Sequence, residues 1–314
     1  MFTLKNRITK WIIFALLAAV LIGACATTTP VDDVDSEAPI TLTDARGVEV
    51  SFDGPPQSII SMAPSNTEML FAIGAGSQLI GRDDISDYPP EALEIESIGS
   101  TYGELNTEAI LALNPDAILA ADLTPPEQIE SLENLDLVVF QVRNPAEFSD
   151  LFEILNDLGR MTGHTQEADA LVAQLLERTE KVSSTVAEVD RIPVFYEVDG
   201  SDPVAPWTTG SATFQDVLIQ MAGGENIASE LKGWGQLSIE EIVTRDPHVI
   251  FYAAGPWVPT TVESLSARAG WSDIRAVVDG NVVAIDTNWV DRPGPRLVDA
   301  LEAMAKSIHP ELFE

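Results

Sequence analysis

The chain has 314 residues, a single cysteine and a formal net charge of −33, from 50 acidic against 17 basic side chains. Such a negative field makes nucleic acid and anionic membrane surfaces poor partners, and one cysteine leaves neither a disulfide nor a thiolate metal site. Beyond the N-terminal segment only Lys181, Lys232 and Lys306 remain as lysines, an acidic exterior that suits a saline habitat or simply a well-solvated surface.

In chain order, the first feature is a targeting segment, residues 1–24. Lys5, Arg7 and Lys10 precede an apolar run from Trp11 to Ile22, and Gly23 and Ala24 stand just before Cys25. The run is short for a membrane span, which takes about 20 apolar residues. The segment resembles the bacterial lipoprotein signal, in which the cysteine becomes the acylated first residue. An ordinary signal peptide or an anchor with an incidental cysteine is the alternative. Removing residues 1–24 takes away three basic and no acidic side chains, which brings the charge from −33 to −36. Residues 25–39 are rich in Thr, Asp and Pro, without apolar periodicity, and read as a solvated tether.

The rest of the chain is longer than one typical core and suits two lobes. Ile40 to Phe52 predicts a hairpin turning at Arg46-Gly47. Ser58 to Met62, Leu79-Ile80, Ala117 to Ala120 and Val138 to Phe140 predict short apolar strands between helices. That alternation argues for a mostly parallel sheet covered on both faces.

The chain also repeats itself. Leu105-Asn-Thr-Glu-Ala-Ile-Leu-Ala-Leu-Asn-Pro-Asp-Ala-Ile-Leu119 returns as Leu237-Ser-Ile-Glu-Glu-Ile-Val-Thr-Arg-Asp-Pro-His-Val-Ile-Phe251. Each copy reads as a polar cap, a short helix, an Asn/Asp-Pro stop and a buried strand. Each is preceded by a helix that ends in glycines, at Gly74 and Gly76 and at Gly223-Gly224, and is followed by an apolar run and a long helix. Residues 40–162 and 191–314 are therefore expected to form two similar α/β lobes with a ligand between them. Thr165 to Val189 runs without Gly or Pro, with apolar residues at helical spacing. Residues 163–190 are expected to form one connecting helix, stiffer than crossing strands.

Catalytic chemistry is poorly represented. His164, His248 and His309 fall at turns and stops outside any metal-ligand spacing, so no metal, cofactor or catalytic residue is expected. Binding is better represented. Tyr102, Trp207, Trp234, Trp257 and Trp289 lie in or beside turn-rich segments, where aromatic faces can stack on a flat ligand. Asp291 and Arg292 offer charged hydrogen-bonding partners. Trp271, opening a helix-like segment, is assigned to packing.

Ser61-Met-Ala-Pro-Ser-Asn-Thr-Glu68, Ser86-Asp-Tyr-Pro-Pro90, Gly223-Gly-Glu-Asn-Ile227 and Arg292-Pro-Gly-Pro-Arg296 resemble the helical-backbone class (class III) of ABC-importer substrate-binding proteins. The class contains vitamin B12-binding, ferric-siderophore-binding and haem-binding members. The resemblance covers nearly all of Ile40 to Phe313. It implies two α/β lobes joined by a single long helix, a ligand cleft between them and limited closure. It also implies a monomer that serves an ABC permease dimer with its ATPase subunits, held at the cell envelope by the lipid on Cys25. Glu68 and Glu225 match the glutamates that dock such proteins to permease arginines. Ser65, Tyr102, Trp207, Trp234, Trp289, Asp291 and Arg292 match ligand-facing positions, with motif agreement best for the vitamin B12 binders. Ile85 and Ala121 depart from that pattern, which has aromatics there. The implied cargo is cobalamin or a related corrinoid, with a ferric siderophore or haem as the alternative. Only Tyr88 or Tyr102 could ligate haem iron.

Overall fold

A computed structural model describes residues 39–255 and 260–313. The targeting segment, Cys25, nearly all of the tether, and Trp257 lie outside the described residues.

Strands β1 (Ile40–Thr43) and β2 (Glu49–Phe52) form the expected antiparallel hairpin. The first lobe is then a four-stranded parallel sheet of β3 (Ile59–Ser61), β4 (Leu79–Arg82), β5 (Ala117–Ala121) and β6 (Val139–Val142), in the order β4-β3-β5-β6. Helices α1 (Pro64–Ala72), α2 (Thr107–Leu113), α3 (Pro126–Glu133) and α4 (Phe148–Thr162) connect and cover it.

The connecting helix is α5, Thr165–Thr185. Its 21 residues span roughly 32 Å at 1.5 Å each. It stops four residues short of the expected Val189. Val186 leaves helical geometry as the C-cap and tucks its side chain into the core, so burial ends a helix that no Gly or Pro would have ended.

The second lobe repeats the topology of the first. Strands β7 (Ile192–Asp199), β9 (Gly224–Asn226), β11 (Val249–Ala254) and β12 (Val282–Asp286) lie in the parallel order β9-β7-β11-β12. Helices α6 (Phe214–Met221), α7 (Ile239–Arg245), α8 (Val262–Ser266), α9 (Arg275–Val278), α10 (Thr287–Val290) and α11 (Leu297–Ile308) complete the lobe. Its distinguishing addition is an antiparallel ribbon, β8 (Trp207–Thr209) with β10 (Trp234–Gln236), attached to the C-terminal half of β7.

The repeated sequences fold alike for local reasons. The Asn106 side chain caps α2 and the Ser238 side chain caps α7, each accepting from the backbone N–H three residues on. Both helices end on a left-handed residue, Asn114 at φ 47° and Asp246 at φ 44°, a conformation that Asn and Asp tolerate best among residues with a Cβ. The proline that follows prevents continuation. Upstream, Gly74 and Gly223 turn the chain out of α1 and α6 at φ 86° and 84°, where a side chain would be strained.

One apolar core runs through both lobes and the connecting helix, with Leu70, Leu155, Leu175, Leu218 and Leu301 among its members. Separate clusters cover the other face of each sheet, around Ile60 and Ile118 in the first lobe and around Phe195 and Ile250 in the second. Phe148 of α4 meets Phe214 of α6 edge to face, with 5.2 Å between centroids, across the lobes. Arg178 of α5 bonds Asp299 at 2.6 Å and Glu302 at 2.7 Å on α11. A shared core and such crossing contacts leave little freedom for a hinge.

Candidate functional site

The strands of the first lobe end at one edge, and the segments that leave them surround a cavity of about 400 Å³. Met62 to Ser65 follow β3, Asp83 and Ile85 follow β4, Ala121 ends β5 with Leu123 to Pro125 and Gln128 after it, and Asn144 follows β6. Thr101 to Gly103 and, from the second lobe, Asp291 to Pro293 close it. This is the carboxyl-end crevice where ligands bind in open α/β sheets.

Four of the sequence-predicted ligand residues meet here. Ser65 stands half-buried in the first turn of α1. Tyr102 is 79 % exposed at the tip of a loop that Gln128 holds by donating to the Gly103 carbonyl at 2.5 Å. Asp291 and Arg292 follow α10, and Arg292 donates to Asp87 of the first lobe. Asp291 is open to solvent on one side, yet the surrounding protein withdraws enough water to push its pKa up to about 6, with Gln215 and Arg292 pulling the other way. Ile85 and Ala121 line the same cavity.

The remaining aromatics are elsewhere. Trp207 and Trp234, 42 % and 59 % exposed, sit on β8 and β10, which the sequence presents as loops. Trp207 faces Gln236 and Trp234 faces Thr209 across the ribbon. Directly opposed residues share a face and side chains alternate by two, so the indoles are diagonal neighbours on one face. They do not line the cavity. Trp289 is half-buried, packs against the main core and is not among the residues lining the cavity. Trp271 is fully buried against Phe195, as its assignment to packing requires.

The two glutamates of the docking motifs differ in setting. Glu68 is buried, and Arg296 donates to its Oε2 through Nε at 2.9 Å and Nη2 at 2.6 Å. A carboxylate already held by an internal guanidinium is not offered to a permease arginine. Glu225 is exposed, but β9 pairs with Ile192 to Val194 at the start of β7. That is the end of the sheet away from the cleft.

Two further residues shape the site in ways that no sequence motif announces. Asp83 reads as one more loop acid, yet it is fully buried, lines the cavity, and its Oδ2 has no hydrogen-bond partner among the described residues. Its position directly after an apolar strand was the available signal. Arg296, a motif residue in the sequence, stacks its guanidinium over the Tyr88 ring at 3.8 Å. Among the described residues no group of three or more His, Cys, Asp or Glu could hold a metal ion.

Comparison with known proteins agrees with this geometry. Over 99 % of its length the chain is 30 % identical to all of an uncharacterized ABC transporter substrate-binding lipoprotein of Bacillus subtilis. It is 31 % identical, over 81 % of its length and 88 % of the relative's, to a vitamin B12-binding protein of Pectobacterium carotovorum. A periplasmic haem-binding protein of Pseudomonas aeruginosa superposes with a TM-score of 0.72 at 25 % identity, covering 81 % of this chain and 93 % of that one. The family described as periplasmic binding protein matches residues 59–288. With a cleft at the carboxyl ends of its strands, two lobes of like topology and a long helix between them, the chain belongs to the periplasmic binding protein family.

Proposed function

We propose that this protein is the substrate-binding lipoprotein of an ABC importer. It captures cobalamin or a related corrinoid and hands it to a permease dimer with its ATPase subunits, and it catalyses nothing itself. The lipid on Cys25 holds it at the cell envelope, and it works as a monomer. Residues 40–162 and 191–314 act as the two lobes, with 163–190 as the connection. The observation that carries the reading is the cavity at the strand ends, lined from both lobes and flanked by the exposed Tyr102. Kinship with vitamin B12-binding relatives supports the corrinoid.

Docking falls to different glutamates from those the motifs suggest. Helices α2 and α7 each hand the chain to the start of a strand, so their first turns lie toward the cleft end of each lobe. Glu108 and Glu240 stand at equivalent positions of the repeat in those first turns, both exposed. One free carboxylate per lobe, beside the mouth of the cleft, suits a two-fold permease bearing arginines.

The likeness to a haem-binding structure favours an iron chelate or haem as the second reading. Calorimetric titration of the purified protein with cyanocobalamin, haemin and a ferric hydroxamate separates the two. One-to-one binding of cyanocobalamin alone is expected; heat only with an iron compound would replace the corrinoid and keep the importer role.

A further inference from the structure

The charges around the cavity are unevenly spent. Among the described residues, each nearby arginine has an internal partner. Arg292 donates to Asp87, Arg296 to Glu68, and Arg82 to the carbonyls of Ala92 and Asp83, both at 2.8 Å. The carboxylates are not all spent in the same way. Asp83 receives the Ser86 hydroxyl on Oδ1, but its Oδ2 is buried without a partner among the described residues. Asp291 faces the same cavity from the other lobe. A buried acceptor left unpaired is unfavourable, and native structures seldom leave one without a purpose. An incoming N–H would satisfy it.

We infer that Asp83 and Asp291 are specificity-determining residues, which make the cleft accept a chelate edged with primary amides or positive charge and reject the same chelate edged with carboxylates. The inference rests on the proposed binding role of this cavity and narrows its substrate class. A corrinoid periphery carries primary amides, whereas haem and many siderophores present carboxylates. An amide offers N–H donors to Asp83 and Asp291, and its carbonyl can take the hydroxyl of Ser65 or a free N–H of Arg292. A carboxylate offers acceptors only and meets like charge. The N-terminus of α1 also points into the cavity and favours anions, but it amounts to about half a positive charge and faces the carboxyl groups of both Asp83 and Asp291.

The test compares ligands that differ in one group. Cyanocobalamin is titrated against its monocarboxylic acids, in which one peripheral amide is hydrolysed. At least one isomer is expected to bind about tenfold weaker or worse, a gap of ~1.4 kcal/mol, and D291N and D83N are expected to close that gap. Since Asp83 is buried and its variant could fold poorly, the exposed Asp291 carries the test if D83N is unstable. Equal affinity of all isomers, or a gap that survives in D291N, overturns the inference while leaving the corrinoid reading intact. If no corrinoid binds, the corrinoid reading falls alone. The charge rule is then read from cationic ferrioxamine B against its succinylated carboxylate form. Preference for the cation supports it; equal binding, preference for the carboxylate, or binding of neither overturns it.

Discussion

Glu68 and Arg296, 228 residues apart in sequence, form one buried ion pair across the two lobes. The side chains are only 3 % and 13 % exposed, and the backbone N–H of Arg296 also donates to Glu68 at 3.3 Å. Burial nonetheless leaves the Glu68 pKa raised, against the bonds from Arg296. R296M should therefore destabilise the fold by about 3–5 kcal/mol, read as a lower urea midpoint. The loss should be smaller in acid: a carboxyl with a raised folded pKa contributes stability at low pH and loses it as pH rises through that value. E68L/R296M should recover most of the loss. A double variant as unstable as R296M alone would show that the pair matters for more than charge compensation.

The second lobe holds a comparable pair within itself. Glu197 of β7 and Arg268, 1 % and 9 % exposed, bond at 2.9 Å through Nη2 and Oε1 and again through Nη1, with Arg268 lying over Trp271. R268M strands a buried carboxylate and should lower stability by about 3–5 kcal/mol. A methyl group at Gly200 would run into both members of the pair, so G200A should destabilise by about 1–3 kcal/mol through overpacking. If the two losses add fully in the double variant, Gly200 does not act through the pair.

Much of this fold was legible because its signals are local. The caps Asn106 and Ser238, the stops Asn114 and Asp246 and the apolar strands after them each act over a few residues, and their recurrence announced two lobes. The site was legible only in part. Ser65, Tyr102, Asp291 and Arg292, which motifs and turns single out, gather at one cavity, but no local pattern says that Glu68 is claimed by Arg296 or that Asp83 is buried. Trp207 and Trp234 sit in Pro- and Gly-rich stretches whose three-residue strands have too few residues to show alternation. Trp289 carries the same loop signature, yet it lies on the short helix α10 and packs against the main core.

Docking can be separated from capture. E108A/E240A should strongly reduce permease-dependent uptake in cells while leaving ligand affinity unchanged, because neither residue lines the cavity. Both side chains are exposed, so the melting temperature should hardly move. E225A should leave uptake near the parent level. The reverse outcome, uptake sensitive to Glu225 and indifferent to Glu108 and Glu240, would put the permease at the other end of the sheets.

Asp291 gives a pH signature. Its pKa rises from 3.8 to about 6 on folding, so the folded chain holds the proton more tightly than the unfolded chain. Its contribution to stability is present below 3.8 and is lost as pH rises through about 6. D291N escapes that loss. The melting temperature of D291N relative to the parent should therefore be more favourable at pH 7.5 than at pH 4. A difference that is flat between the two would mean that the carboxyl is solvated as in the unfolded chain.

The paired indoles of the ribbon invite the last test. Trp207 and Trp234 are too exposed to hold the core, and among the described residues the sheet of the first lobe carries no counterpart of their ribbon. If a flat chelate protrudes from the cavity and rests on them, W207A and W234A should each weaken binding by about 1–3 kcal/mol, with little change in melting temperature. Neighbouring residues on one ligand face should also couple, so the double variant should lose less than the sum. Unchanged affinity in both would confine the ligand to the cavity between Tyr102 and Asp291, and the ribbon would then face something other than the cargo.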